Sequence, residues 1–302
     1  MRKVPLIAAL AASLTGCGLV PGPFAQPTAP PGPISPAPSA SASIPTPSPS
    51  PPAERVRLTV SDAKKAAASW VAEHNRTIKD RDWWDDSSKR DELFWDGTRH
   101  EVVIDQGHVE DGEKDKARRP IRLTGRQTYY VPRQQPPGGE WFILQATYKG
   151  QDRSHVLAFW RPEGESFKLA AKTPLHYGHR MPAPRLDAEG YVTAASRVNG
   201  TAIALEYMTF WNYSTNKKAG RSGYRLAGDN YSRRAYASVS KGMYMGFGTF
   251  TASYGFRTED GGSFYVFSLL NRPQSITQVL TVGAFVPRGG KAIQEIAGDW
   301  YA

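Results

Sequence analysis

The sequence predicts an α+β protein made of two tandem units, each a helix packed on a curved antiparallel β-sheet. Three observations lead there. An alanine-rich amphipathic stretch begins near residue 59; short aromatic and β-branched runs follow it, separated by Pro/Gly turns; and a similar ensemble recurs about 125 residues later. The aromatic content (Trp 8, Tyr 14, Phe 12) fits β-rich domains with packed interiors. Cys17 is the only cysteine in the 302 residues, so the folded part has no disulfide and no thiolate metal site, and core burial must stabilise it.

Ahead of the fold the chain starts with a basic pair, Arg2-Lys3, and an apolar run, Val4 to Ala12, too short to span a bilayer. This reads as a signal peptide over residues 1–16. Leu14-Thr15-Gly16-Cys17 follows: a bulky apolar residue, two small ones and a thiol. The pattern resembles the lipobox of bacterial lipoproteins, which implies lipidation of Cys17 and cleavage before it. A thioether-linked diacylglycerol and a further acyl chain would anchor the protein stably. The expected location is therefore the extracytoplasmic face of the cell membrane, with the membrane engaged through Cys17.

Residues 17–54 are expected to be the lipidated cysteine and a disordered spacer. Gly18 to Ala53 contains 13 prolines and no charged side chain. Such a segment cannot bury enough apolar surface to fold, and at about 3.1 Å per residue it reaches roughly 100 Å.

The first α+β domain is expected over residues 55–195. Thr59 and Asp62 form a capping box, behind which Ala63, Ala67, Trp70, Val71, His74 and Ile78 make one helical stripe. His74 lies on or beside that stripe and reads as a packing histidine. Asp82 to Trp95 reads as a turn and a short helix, and Asp105 to Arg119 as a solvated loop or hairpin tip. Four strands follow, at 127–133, 140–149, 154–161 and 166–172, in an antiparallel meander.

The second domain is expected over residues 196–302. Gly138 to Gln145 aligns with Gly261 to Ser268, Tyr129 to Arg133 with Tyr254 to Thr258, and Phe159 to Pro162 with Phe285 to Arg288. Thr201 to Tyr213 alternates like a strand but takes the helix position of the repeat. Lys217 to Gly248 carries no clear pattern.

Leu58 to Ala63, Arg133, and Arg185-Leu186-Asp187-Ala188-Glu189-Gly190-Tyr191 together resemble a family of actinobacterial lipoproteins. That resemblance implies a pair of cone-like units similar to nuclear-transport-factor or cystatin-like folds. It implies no activity, because such folds host enzymes, binders and scaffolds alike.

Catalytic signatures are not legible. His176 and His179 are paired but flank Gly178, and no cysteine or acid cluster completes a metal site, so neither metal nor cofactor is expected. Asp85-Asp86 reads as a polar helix start. Gly261-Gly262 and Gly289-Gly290 lie in hairpin turns without the features of a nucleotide phosphate loop. Asn212-Tyr213-Ser214 matches a glycosylation sequon of little meaning in a bacterial lipoprotein. Trp141, Tyr129, Phe264 and Tyr265 are core aromatics or cavity-lining ones; spacing does not separate the two.

The formal charge is +10, and removing residues 1–16 takes away two cations and no acid. Basic runs lie at Arg118 to Arg122, Lys217 to Arg221 and Arg233-Arg234. Outside a cell such a surface meets anionic headgroups or wall polymers, and nucleic acid is not an expected partner. The expected function is a non-catalytic binding or scaffolding module for a protein or cell-wall partner. The alternatives are small-ligand capture in a cone-shaped pocket and, third, an enzyme using a pocket carboxylate.

Overall fold

The computed structural model describes residues 57–80, 82–113, 119–213, 222–238, 246–271 and 277–302. The signal peptide, Cys17, the spacer and the basic residues Arg118, Lys217, Lys218 and Arg221 lie outside these. Residues 53–302 form one compact unit.

The first helix, α1 (Val60–Thr77), starts at the expected capping box: Thr59 Oγ1 accepts from Asp62 N at 3.1 Å, and the Asp62 carboxylate accepts from Thr59 N at 3.3 Å. Ala63, Ala67, Trp70 and His74 form its buried stripe. A short helix α2 (Ser87–Leu93) is capped by Asp86 and tied to α1 by Trp70 Nε1, which donates to Leu93 O at 2.8 Å. Next comes α3 (Asp96–Glu110).

Helix α3 corrects the loop expected from Asp105 onward. Its buried face is Gly97, Thr98, Glu101, Val102 and Ile104. An inward-facing acid and a glycine in place of two apolar residues hide the helical period. Glu101 tolerates that position because Lys172 reaches it at 3.2 Å.

Strands β1 (Leu123–Tyr130), β2 (Gly139–Tyr148), β3 (Ser154–Pro162) and β4 (Lys168–Pro174) form an antiparallel meander in the order β1-β2-β3-β4. The chain then returns along residues 184–195. There Arg133 pairs with Asp187 (2.6 Å) and Glu189 and lies over the Tyr191 ring.

The helix reading at 201–213 holds as α4 (Arg197–Tyr213). It is followed by β5 (Arg225–Leu226), α5 (Tyr231–Ser238), β6 (Thr249–Phe250), β7 (Tyr254–Arg257), β8 (Ser263–Leu270), β9 (Val279–Val286) and β10 (Ala292–Tyr301). The second sheet has the order β5-β10-β9-β8-β6, with β7 also on β8. It is mixed, since β5 runs parallel to β10. Strand β5 and helix α5 lie in the stretch that carried no sequence pattern.

Strand alternation sorts the interior into four layers. Phe142, Leu144 and Ala146 of β2, with Leu157 and Phe159 of β3, face α1. Their neighbours Trp141, Ile143, Val156 and Ala158 face the other sheet, where Tyr254, Phe256, Phe264 and Val266 meet them. Tyr265, Phe267 and Leu269 then face Ile203, Tyr207, Phe210 and Trp211 of α4. The order is helix, sheet, sheet, helix. Tyr130 stacks flat on Phe256 across the central interface, ring centroids 4.7 Å apart.

Pairing register shows how the two units correspond, and it corrects two of the three sequence alignments by one residue. Tyr130 pairs with Ile143 as Tyr254 pairs with Val266, so Tyr254 corresponds to Tyr130 and not to Tyr129. Trp160 pairs with Trp141 as Phe285 pairs with Phe264, so Phe285 corresponds to Trp160 and not to Phe159. A slip of one turns a side chain to the opposite face, and only this register keeps like residues in like layers. The units even share a bulge: Ala170 on β4 and Ile296 on β10 are each the extra residue at the same step.

Candidate functional site

The strand aromatics considered as cavity lining are packed. Trp141, Phe264 and Tyr265 are buried and Tyr129 packs against the first core, so the spaces between helix and sheet are filled. The open features lie at the surface.

A groove of about 850 Å³ runs between α1, α2 and the β3–β4 turn. It is lined by equal numbers of acids (Asp62, Glu73, Glu92, Glu165) and bases (Lys65, Arg76, Arg161, Lys168). Most are paired: Arg76 with Glu73 at 2.5 Å, Lys168 with Glu165 at 2.6 Å, and Arg161 with Glu140. Hydrogen bonds from Arg76 and Thr59 hold the Glu73 and Asp62 carboxyls below the usual range.

A second groove, of about 450 Å³, lies at the corresponding place in the second unit. Asn199 and Ile203 of α4, the β7–β8 turn and the β9–β10 turn enclose it. Arg257, Arg288 and Lys291 line it, and among the described residues no acid does.

A smaller pocket of about 220 Å³ is lined by Asp91, Trp95, Asp96, Arg99 and His100. Asp96 adopts a left-handed backbone (φ 44°) at the start of α3, a region open to Asp and Asn but costly for most side chains. Burial pushes its carboxyl up to about 6, outweighing the hydrogen bond it accepts from Tyr254 Oη at 2.9 Å. Arg99 is held by Asp91 at 2.5 and 3.0 Å.

Two polar clusters lie away from the grooves, the first half-buried and the second buried. Lys172, Glu101, Asp299 and Tyr148 meet where α3 crosses β4 and β10; Glu101 raises the Lys172 pKa, and burial raises those of the acids. In the second cluster Glu295 accepts from Ser232 Oγ at 2.6 Å and lies 3.2 Å from His176 Nε2. The carboxylate sits between serine and histidine, so the imidazole does not reach the hydroxyl and no nucleophile–base relay forms. Glu295 occupies the position that Leu169 holds in the first unit.

The residues singled out in the sequence fall as follows. His74 is buried, stacked on Trp70, and held neutral with its pKa lowered to about 4 by burial. His176 turns inward to Glu295, whereas His179 is exposed with its ring 6.2 Å away. Among the described residues no group of three or more His, Cys, Asp or Glu is placed to hold a metal ion. Asp86 caps α2, Asp85 accepts from Gln106, and Asn212 is tied to the Phe247 backbone through both side-chain atoms. Arg233 and Arg234 lie on α5. Sequence reading missed Asp96 and the second groove; the signal for the latter was the base-Gly-Gly-base run Arg288-Gly289-Gly290-Lys291.

These features define a class: a two-unit α+β body, layered helix-sheet-sheet-helix, with an equivalent surface groove on each unit. Residues 57–294 match a family described as a domain of unknown function (DUF8094), and the chain belongs to that family. No curated protein and no solved structure matches the chain.

Proposed function

We propose that this chain is a lipid-anchored extracytoplasmic binding module that holds a protein or wall-polymer partner at the end of a proline-rich tether. The supporting observation is the recurrence of an open groove at the same place in both units, on a body whose interior is packed. Such a surface suits recognition more than enclosed chemistry. The tether and anchor come from the lipobox-like Leu14 to Cys17 and the spacer behind it. No described helix is long and apolar enough to cross a membrane. A second reading, catalysis by a pocket carboxylate, draws on Asp96 alone, whose raised pKa and unusual backbone are features of functional acids.

Two measurements test the leading reading. Cys17→Ala should release the protein from salt-washed membranes; retention equal to the wild type removes Cys17 as the anchor. A photo-crosslinking residue at Ser69, in the first groove, should give a discrete adduct in cells that the same residue at Thr124 does not. Identical patterns at both positions would reject the groove as a partner site.

A further inference from the structure

The two grooves share a position but differ in charge: four acids line the first, and none of the described residues lining the second is acidic. In the first unit the buried Glu140 on β2 holds Arg161 of β3 across the strand pair. Pairing register puts Ser263 and Val286 at those two positions in the second unit, so neither the acid nor its arginine recurs there. Arg257 fills the space instead, donating to Ser263 Oγ at 3.0 Å and to Gly261 O at 2.8 Å. The Arg288 stem lies across Gly261, a positive-φ turn glycine on which a Cβ would come within 2.9 Å of Arg288 Cδ. Among the described residues Arg257, Arg288 and Lys291 make no ion pair. Two acids lie behind the lining without pairing with these cations: Asp260 accepts from Thr258 and from Gly262 N, and the buried Glu206 accepts from Ser222. Tyr265 is 2% exposed and lines the groove; its hydroxyl makes no well-formed hydrogen bond, although the Ser263 and Asn199 side chains lie close enough to interact with it.

A cavity with three cations that make no ion pair, no acid among its described lining residues and a buried hydroxyl that makes no well-formed hydrogen bond suits a small multivalent anion. Phosphate carries roughly −1.5 to −2 charges near neutrality and offers several acceptor oxygens to such donors. We propose that the second groove binds a phosphate group, with Arg257, Arg288 and Lys291 neutralising it and Tyr265 Oη donating to it. The proposal rests on the binding-module reading and names the ligand chemistry of one of its two grooves. It fails separately, since crosslinking from the first groove requires no phosphate.

The test titrates the full chain at low salt with glycerol 3-phosphate, inorganic phosphate, and vesicles of phosphatidylcholine with or without phosphatidylglycerol. Saturable binding of a soluble phosphate, or of the phosphatidylglycerol vesicles alone, supports the site and tells a free phosphate from a headgroup source. The double variant Arg288→Gln/Lys291→Gln should lose about tenfold or more in affinity, the scale of a lost charge-assisted contact. Tyr265→Phe should weaken binding with its melting temperature unchanged. Arg126→Gln/Lys149→Gln, equal in charge removed but distant from the groove, should bind as the wild type. No saturable binding of any probe, or equal loss in both double variants, overturns the proposal.

Discussion

At Asp96 the local backbone and the buried surroundings act on one carboxyl. Its pKa of about 6 in the fold against 3.8 as a free side chain means that, between these values, the folded chain keeps a proton the unfolded chain releases. Stability from this group is therefore greatest below pH 4 and declines as pH rises through 6. Asp96→Asn keeps the left-handed backbone and an acceptor for Tyr254 but cannot ionise. The variant should match the wild type near pH 4 and exceed it by about 2–3 kcal/mol at pH 7 in denaturant titrations, since a pKa unit corresponds to about 1.4 kcal/mol. Parallel stability profiles across that range would show that Asp96 titrates like an ordinary surface acid. The sequence draws attention to Asp85-Asp86 because they are adjacent, yet both lie at a helix start. Asp96 acquires its character from burial beneath Tyr254, 158 residues away, and no local pattern announces that.

Helix α3 is the element on which sequence and structure differ most. It packs on both sheets, and Gly97 is where it comes closest to the second. A Cβ at Gly97 would lie 2.1 Å from Ser268 Oγ and 2.5 Å from Ser268 Cβ, so the helix can approach β8 only without a side chain there. Gly97→Ala improves helix propensity by up to about 1 kcal/mol, but overpacking costs about 1–3 kcal/mol. A net loss of thermal stability is expected, partly relieved when Ser268→Gly is combined with it. A variant as stable as the wild type would place α3 farther from β8 than described. By contrast α1 was legible, because its cap is local and its stripe is apolar but for His74. The strands were legible as runs but not in register, since pairing is a relation between distant segments.

At the scale of the whole molecule, the two units are held by one shared face. Tyr130, Trp141 and Ile143 from one sheet meet Phe256, Phe264 and Val266 from the other. Phe256→Ala should cost about 3–5 kcal/mol, as expected of a fully buried ring. Paired with Tyr130→Ala in a double-mutant cycle, it should show a coupling of about 0.5–1.5 kcal/mol. Because the interface is a core layer and not a linker contact, both units should unfold in one transition. Two separate transitions in tryptophan fluorescence and far-UV circular dichroism would instead indicate independent units.

The sequence by itself determined the α+β class, the tandem organisation and the capped first helix, as all of these are written in local composition, period or repeat. Only the tertiary structure decided that the two sheets stack face to face, that the aromatics fill the interior, and that the second groove is left cationic. Those outcomes turn on which side chains meet across long separations: a single register step sets the layer of every strand residue, and that Ser263 and Val286 stand where the first unit pairs Glu140 with Arg161 becomes visible only once β2 and β8 are known to be equivalent.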